Sequence, residues 1–357
     1  MQLFQDLFDR SKQLNQAPLQ SGLAYHAQKG RYKIIHQGLM IPGLPAPLHY
    51  LNFMSLIGQP NAAMLRNESA IHTTALDTAT TIASISPHMG EQFNSYSVAK
   101  DCRFSKGHFQ FSDREIISGS FPHFRIQRKD KELSFDLSIR TSNIISYFTR
   151  LRMGLADHWS LLCQCEGQVI YKEQKFEIRQ MGSFEYARCV NFSYLPLAFF
   201  TYQVINLKHQ RQLLLAQIRD PWNGILQSRL YLRDAKTGKA QMFDHHVRFK
   251  VHRVYPKVKT PNGQSMYLPR EFEWSYEGKD GTRISVQAQS RGDFKFGLAA
   301  GYVGSFKYQI CINHDEETGE GGYCEYSDCR SLIWQEKNKQ KKMREKLSNP
   351  VPFACKK

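Results

Sequence analysis

Polar and apolar positions in the C-terminal half alternate with a period of two. Phe272, Trp274 and Tyr276 stand between Glu271, Glu273, Ser275 and Glu277. After the turn Gly278-Lys279-Asp280-Gly281, Ile284, Val286 and Ala288 stand between Ser285, Gln287 and Gln289. Successive side chains of a strand point to opposite faces, so the pattern predicts a β-hairpin with one apolar face. Leu133, Phe135, Leu137 and Ile139 alternate in the same way after the charged turn Lys129-Asp130-Lys131. Trp159, Leu161, Cys163, Cys165, Gly167, Val169 and Tyr171 occupy every second position of a further strand. Residues 137 places on are Phe296, Leu298, Ala300, Tyr302, Gly304, Phe306 and Tyr308. Each strand then turns into another with a related ending, Gly182-Ser183-Phe184-Glu185-Tyr186 and Gly322-Tyr323-Cys324-Glu325-Tyr326, offset by 140. The chain reads as a duplication of one β unit.

Long alternating strands joined by short turns need closure to remove their edges. The expected fold is all-β: two tandem antiparallel barrels over residues 22–190 and 191–330. An N-terminal amphipathic helix is expected within 1–21, where Leu3/Leu7 and Phe4/Phe8 repeat at i, i+4. A basic C-terminal helix or tail is expected over 331–357. The proline-rich stretch from Pro42 to Pro60 reads as loop or edge strand. Residues 61–100, rich in Ser, Thr and Ala, place no strand clearly.

A chain of 357 residues with 41% apolar positions can bury a core without disulfide or metal staples. Its eight cysteines include no CxxC pair, and the N-terminus has no basic and apolar signal pattern, so thiols in a cytoplasmic protein are expected. No run approaches 18 apolar residues. No metal and no cofactor are expected. The net charge of +16 favours anionic partners. Residues 331–357 carry +6 of it, which predicts peripheral contact of the tail with an anionic surface such as the inner membrane. Nucleic-acid binding is kept only as a second alternative, because no RNP-like, KH-like or helix-turn-helix signature accompanies the charge.

Two barrel-sized β units, each closing on a Gly-x-x-Glu-Tyr strand, resemble the tandem lipocalin-like superfamily, which includes the carotenoid 1,2-hydratase and AttH-like proteins. The segment from His158 to Arg188 is similar to an uncharacterised bacterial family of unknown function. The resemblance implies two lipocalin-like barrels packed together, with an apolar ligand in one barrel or between them. The hydratase-like proteins end the first barrel on a Gly-x-Gly-Tyr-x-Asp-His motif. Here Gly182-Ser183-Phe184-Glu185-Tyr186-Ala187-Arg188 lacks the Asp-His pair, and Asp157-His158-Trp159 stands one hairpin earlier. Hydratase chemistry is therefore not carried over.

The function expected is binding or carriage of an apolar or amphipathic small molecule, a lipid or isoprenoid. Ligand contacts are expected from Trp159, Tyr171, Phe249, Trp274, Phe296 and Tyr308. The alternative is an enzyme acting on such a ligand by hydration, isomerisation or cyclisation. Its catalytic candidates are His245, His158, Glu185 and Tyr186. Read as a strand, Asp244-His245-His246 turns His245 inward with Val247, Phe249 and Val251. The repetition of Glu185-Tyr186 as Glu325-Tyr326 favours a structural role for both pairs. G-x-S-x-G, H-E-x-x-H and phosphate-loop signatures are absent.

Overall fold

In the computed structural model, which describes residues 9–16 and 23–330, strands dominate and the two helices are single turns or little more. The short helices are α1 (Ser11–Gln16) and α2 (Val98–Asp101). The all-β expectation holds, as a nearly closed barrel and a half-barrel. Leu3 to Phe8 and the basic tail after Arg330 lie outside the described residues.

The first sheet is an antiparallel array of eleven strands. These are β1 (Tyr32–Pro42), β2 (Tyr50–Ile57), β3 (Thr78–Ile85), β4 (Phe93–Ser97), β5 (Cys102–Ser105), β6 (His108–Phe111), β7 (Glu115–Ser120), β8 (His123–Arg128), β9 (Leu133–Arg150), β10 (Ala156–Tyr171) and β11 (Gln174–Val190). Their order is β4-β3-β2-β1-β11-β10-β9-β8-β7-β6-β5, so the last strand pairs with the first and the two edges are consecutive in the chain. Side chains complete the closure where backbone pairing stops. Tyr96 and Asn94 of β4 both donate to Glu115 of β7, at 2.7 and 3.1 Å.

The second sheet repeats this plan. It uses β12 (Phe199–Leu207), β13 (Arg211–Arg219), β14 (Ile225–Asp234), β15 (Lys239–Phe243), β16 (Arg248–Val254), β19 (Pro269–Glu277), β20 (Arg283–Ser290), β22 (Gly301–Ile312) and β23 (Asp315–Asp328), with β21 (Lys295–Leu298) against β22. The order β15-β14-β13-β12-β23-β22-β20-β19-β16 again pairs last with first. Between them β17 (Val258–Lys259) and β18 (Ser265–Met266) form a separate ribbon. The hairpin read from alternation is β19–β20, with Trp274 opposite Val286 and Tyr276 opposite Ile284.

Two expectations are corrected. The chain between Pro42 and Pro60 supplies a central strand, not a loop or edge: β2 lies between β1 and β3 and is buried along nearly its whole length. The prolines flank it at 42, 45, 47 and 60, leaving residues 50–57 free to donate to the ladder. The strand equivalence is also shifted. Glu185 pairs with Ser160, whereas its counterpart Glu325 pairs with Val303, an offset of 143 rather than 137 on the first strand of each hairpin. The difference is six, an even number, so every side chain stays on its face and the alternation conceals the slip. Gly167 and Gly304 thus serve different ends. Gly167 has φ +147°, and a Cβ there would lie 2.1 Å from the carbonyl oxygen of Asp136. Gly167→Ala is expected to destabilise the fold by roughly 2–4 kcal/mol, read from urea unfolding; an unchanged midpoint would refute the close approach.

Three large apolar cores result, beside a small cluster of Ile144, Leu162 and Met181. Ile35, Leu39, Phe53, Phe124, Trp159 and Tyr186 are among those filling the first sheet's concave side. Phe249, Phe272, Trp274, Phe306 and Tyr326 help to fill the second. The third joins the outer faces of both sheets: Met40, Tyr50 and Met54 from one meet Tyr202, Leu214 and Tyr323 from the other. Strands at this contact are apolar on both faces, as in Leu213-Leu214-Leu215-Ala216. Six cysteines are free thiols, while Cys311 is disulfide-bonded, an exception to the expectation of thiols throughout.

Candidate functional site

A cavity of about 790 Å³ opens between the two sheets, not inside either. This is the size range of small-molecule sites. Its apolar wall includes Ile34, Met54 and Ile82 of the first sheet and Phe200, Ile218 and Leu226 of the second. Into it project two buried carboxyls, Glu185 of β11 and Glu325 of β23, 3% and 2% exposed.

The period of two explains which candidates meet there. Residues 185 and 158 point out of the first sheet, and 186 and 159 point in. Ala187 pairs with His158 across the β10–β11 hairpin, so His158 and Glu185 lie on one outer face. Asp157-His158, one hairpin early in sequence, is thereby brought beside the end of β11. His36 on the neighbouring β1 joins them. Its Nε2 is 2.9 Å from Glu185 Oε1, and its Nδ1 is 3.0 Å from the Ser55 carbonyl oxygen. A carbonyl only accepts, so Nδ1 carries a proton, and a proton also lies between Nε2 and the carboxyl. His158 Nε2 is 3.5 Å from Oε2. Gly38, the cross-strand partner of Glu185, makes room for it; a Cβ there would stand 3.1 Å from Oε1.

Electrostatics set the two carboxyls apart. Burial pushes Glu185 up, but hydrogen bonds and charge from His158 and His36 outweigh it and hold the carboxyl at about 2. Burial, and then the negative charge of Glu185, push Glu325 well above the usual carboxylate range, against one hydrogen bond from Tyr323 at 3.0 Å. The two surroundings thus drive the carboxyls apart, Glu185 towards the anion and Glu325 towards the protonated acid. Behind Glu185, the fully buried Arg233 donates to Ser146, Ser183, Gln212 and the Ser160 carbonyl at 2.8–3.2 Å. Burial lowers its guanidinium to about 10, opposed by charges that include Glu185. At another part of the wall Arg188 pairs with the buried Asp157 at 2.7 Å, and Arg229 donates to Ser11 Oγ and the Phe148 carbonyl.

The remaining sequence candidates lie elsewhere. Tyr186 is in the first core, its hydroxyl donating to the His26 carbonyl at 2.9 Å. His245 is a correction: residues 244–247 form the loop between the edge strands β15 and β16, and the His245 side chain is 61% exposed beside Lys12 and Asp244. His246, at φ +62°, breaks the alternation that would have turned His245 inward. Trp159, Tyr171, Phe249, Trp274, Phe296 and Tyr308 all pack in or against the two concave cores. None of these six lines the cavity between the sheets. Trp274 and Tyr308 are tied down by hydrogen bonds to Gln203 and the Asn206 carbonyl. Sequence reasoning missed His36 and passed over Glu325. The available signal was one polar side chain among the outward positions Ile34, His36, Gly38 and Met40 of β1. Among the described residues, no three His, Cys, Asp or Glu side chains are placed to hold a metal ion.

Two face-packed, duplicated antiparallel sheets define the lipocalin-like, AttH-like class of fold. An AttH-like protein of Nitrosomonas europaea is similar over 87% of this chain and 98% of its own, with a TM-score of 0.60 and 13% identity. Kievitone hydratase of Nectria haematococca is similar over 83% of this chain and 89% of its own, with a TM-score of 0.52 and 11% identity. The chain belongs to a family of unknown function, DUF6670, whose sequence profile matches residues 54–341. A comparison with curated proteins finds no match.

Proposed function

We propose that the protein binds an apolar or amphipathic small molecule carrying a carbon–carbon double bond in the cavity between its sheets, and adds water to that bond or removes it. The observation that carries this reading is the pair of buried carboxyls, one from each sheet, that line the apolar cavity and whose surroundings drive their protonation in opposite directions. Pairs of titratable groups whose surroundings drive them apart mark acid and base. Glu325 gives its proton to one alkene carbon as the π electrons form the new C–H bond. Water attacks the cation left on the other carbon, and its proton passes to Glu185. The product is the alcohol, and a proton returned from Glu185 to Glu325 restores the starting state. His36 and His158 hold the Glu185 carboxylate in place, and the apolar wall keeps bulk water from the cation. Kievitone hydratase, similar in fold, is by its name an enzyme of this class.

Mass spectrometry of extracts from purified protein, followed by incubation of the bound species or a panel of isoprenoid alkenes in isotopically labelled water, tests the reading. Label in a product alcohol supports it. A bound ligand that is never labelled or altered would leave carriage alone, and no bound or altered species would refute both.

A further inference from the structure

We infer that the loops around this cavity form a membrane-docking rim, through which the protein meets an anionic lipid surface and exchanges an apolar ligand with it. Five large hydrophobic side chains are strongly exposed among the described residues: Met89, Met153, Tyr194, Trp222 and Ile225. Four of these five, all but Met89, fall in three segments that also line the cavity. The β9–β10 turn carries Met153, 82% exposed, between the lining residues Leu151 and Ala156. The link between the sheets carries Tyr194 between Phe192 and Leu195. The β13–β14 turn carries Trp222, 80% exposed, and leads into Ile225, itself part of the wall.

Hydrogen bonds join these segments. Val190 N donates to the Leu155 carbonyl at 3.0 Å, and Ala198 N to the Arg219 carbonyl at 3.1 Å. Gln227 Nε2 returns to the Phe148 carbonyl at 2.8 Å. Trp222 is not a loose tip. Asp220, 3% exposed, accepts from the backbone N–H groups of Trp222 and Gly224 at 2.9 and 2.7 Å and so fixes the turn.

Charge selects the partner. Three exposed cations stand along this edge, Arg10, Arg31 and Arg152, with Arg31 donating to the Met153 and Gly154 carbonyls, while the exposed Glu68 beside the link is neutralised by Arg66. The other acids of the same edge are withdrawn or paired. Asp157 and Asp220 are buried, and the half-buried Asp244 is paired with Lys12 at 2.9 Å; half-buried Asp9 accepts from two backbone N–H groups. Large apolar side chains projecting from a cationic edge fit the headgroup region of an anionic bilayer. No helix among the described residues is long and apolar enough to cross a membrane.

The test is sedimentation of the full chain with phosphatidylcholine vesicles, with and without phosphatidylglycerol. Binding is expected to rise with phosphatidylglycerol, and Trp222→Ser/Met153→Ser should weaken it about tenfold or more. Met89→Ser, outside the rim, should leave it unchanged. Undiminished binding by the double variant, by whatever other surface, would overturn the proposal, as would no binding at all. A concentration-dependent dimer lost in the double variant would reassign the rim to a second copy of the chain. The double variant leaves Glu185 and Glu325 intact, so activity on a detergent-dispersed ligand reports on the acid–base reading separately.

Discussion

Glu185→Gln should lower the rate of water addition by about 10²–10⁴-fold while leaving ligand binding in place. The amide keeps the shape of the side chain and an oxygen for the His36 N–H, but it cannot take a proton from water. A kcat loss without a matching rise in ligand Kd is the expected signature; an unchanged rate would remove Glu185 from the chemistry. The pH dependence follows from the two carboxyls. Glu185 is ionised well below neutrality, so the rate should not fall on its account until the pH approaches about 2. Glu325 must keep its proton, so the rate should decline as the pH rises far enough to ionise it, and Glu325→Gln should be inactive.

Stability carries the same two signs. Glu185 is held below its unfolded value of 4.5, so its contribution is present above pH 4.5 and disappears as the pH falls through about 2. Glu325 is raised, so its contribution is present below 4.5 and is lost as the pH rises through its folded value. Glu185→Gln should therefore destabilise the protein at neutral pH, and Glu325→Gln should flatten the loss of stability as the pH rises above 4.5. Urea unfolding across the pH range reads both effects without any substrate.

Arg128→Ala should cost about 3–5 kcal/mol of unfolding free energy, the second large effect. Arg128 is 1% exposed and lies where side chains close the first sheet. It contacts Glu115 and Asp130 at 3.3 Å and donates to the Glu91 and Leu133 carbonyls at 3.0 and 3.2 Å. Burial already pushes Glu115 up against the pull of Arg128. Without the guanidinium that carboxyl must stay protonated or remain charged and poorly paired. Losses should be smaller in the Arg128→Ala/Glu115→Gln double variant than the two single losses added together. Additive losses, or a single-variant loss under about 1 kcal/mol, would show that the network does not hold the edge strands together.

The strands were legible because each needs only its own alternation. Trp274, Tyr276, Val286 and Ile284 announced a hairpin with one apolar face. Glu185 and His158 were legible as candidates because the hairpin that joins them is local. The cavity was not. A single barrel is expected to show water its outer face, and on that assumption Trp159 and Trp274 looked like ligand walls. Here the outer faces of β1–β3 and β12–β14 are buried against each other, so the inward aromatics pack in the cores and outward residues line the cavity. His36 comes from a strand far from Glu185 in sequence, and only the β1–β11 pairing sets them side by side. His245 failed for a local reason, since its predicted strand is a loop with a left-handed residue at 246.

The six-residue slip between the two long hairpins bears on how the family can vary. A change of two, four or six residues in such a hairpin preserves what faces the neighbouring sheet, whereas a change of one would exchange cavity wall for core. An odd change must be absorbed in a bulge, as the register break between Phe306 and Tyr308 illustrates. Relatives should therefore differ in these hairpins by even numbers of residues or carry a bulge. The glutamates can then drift along their strands while each keeps looking across at the other.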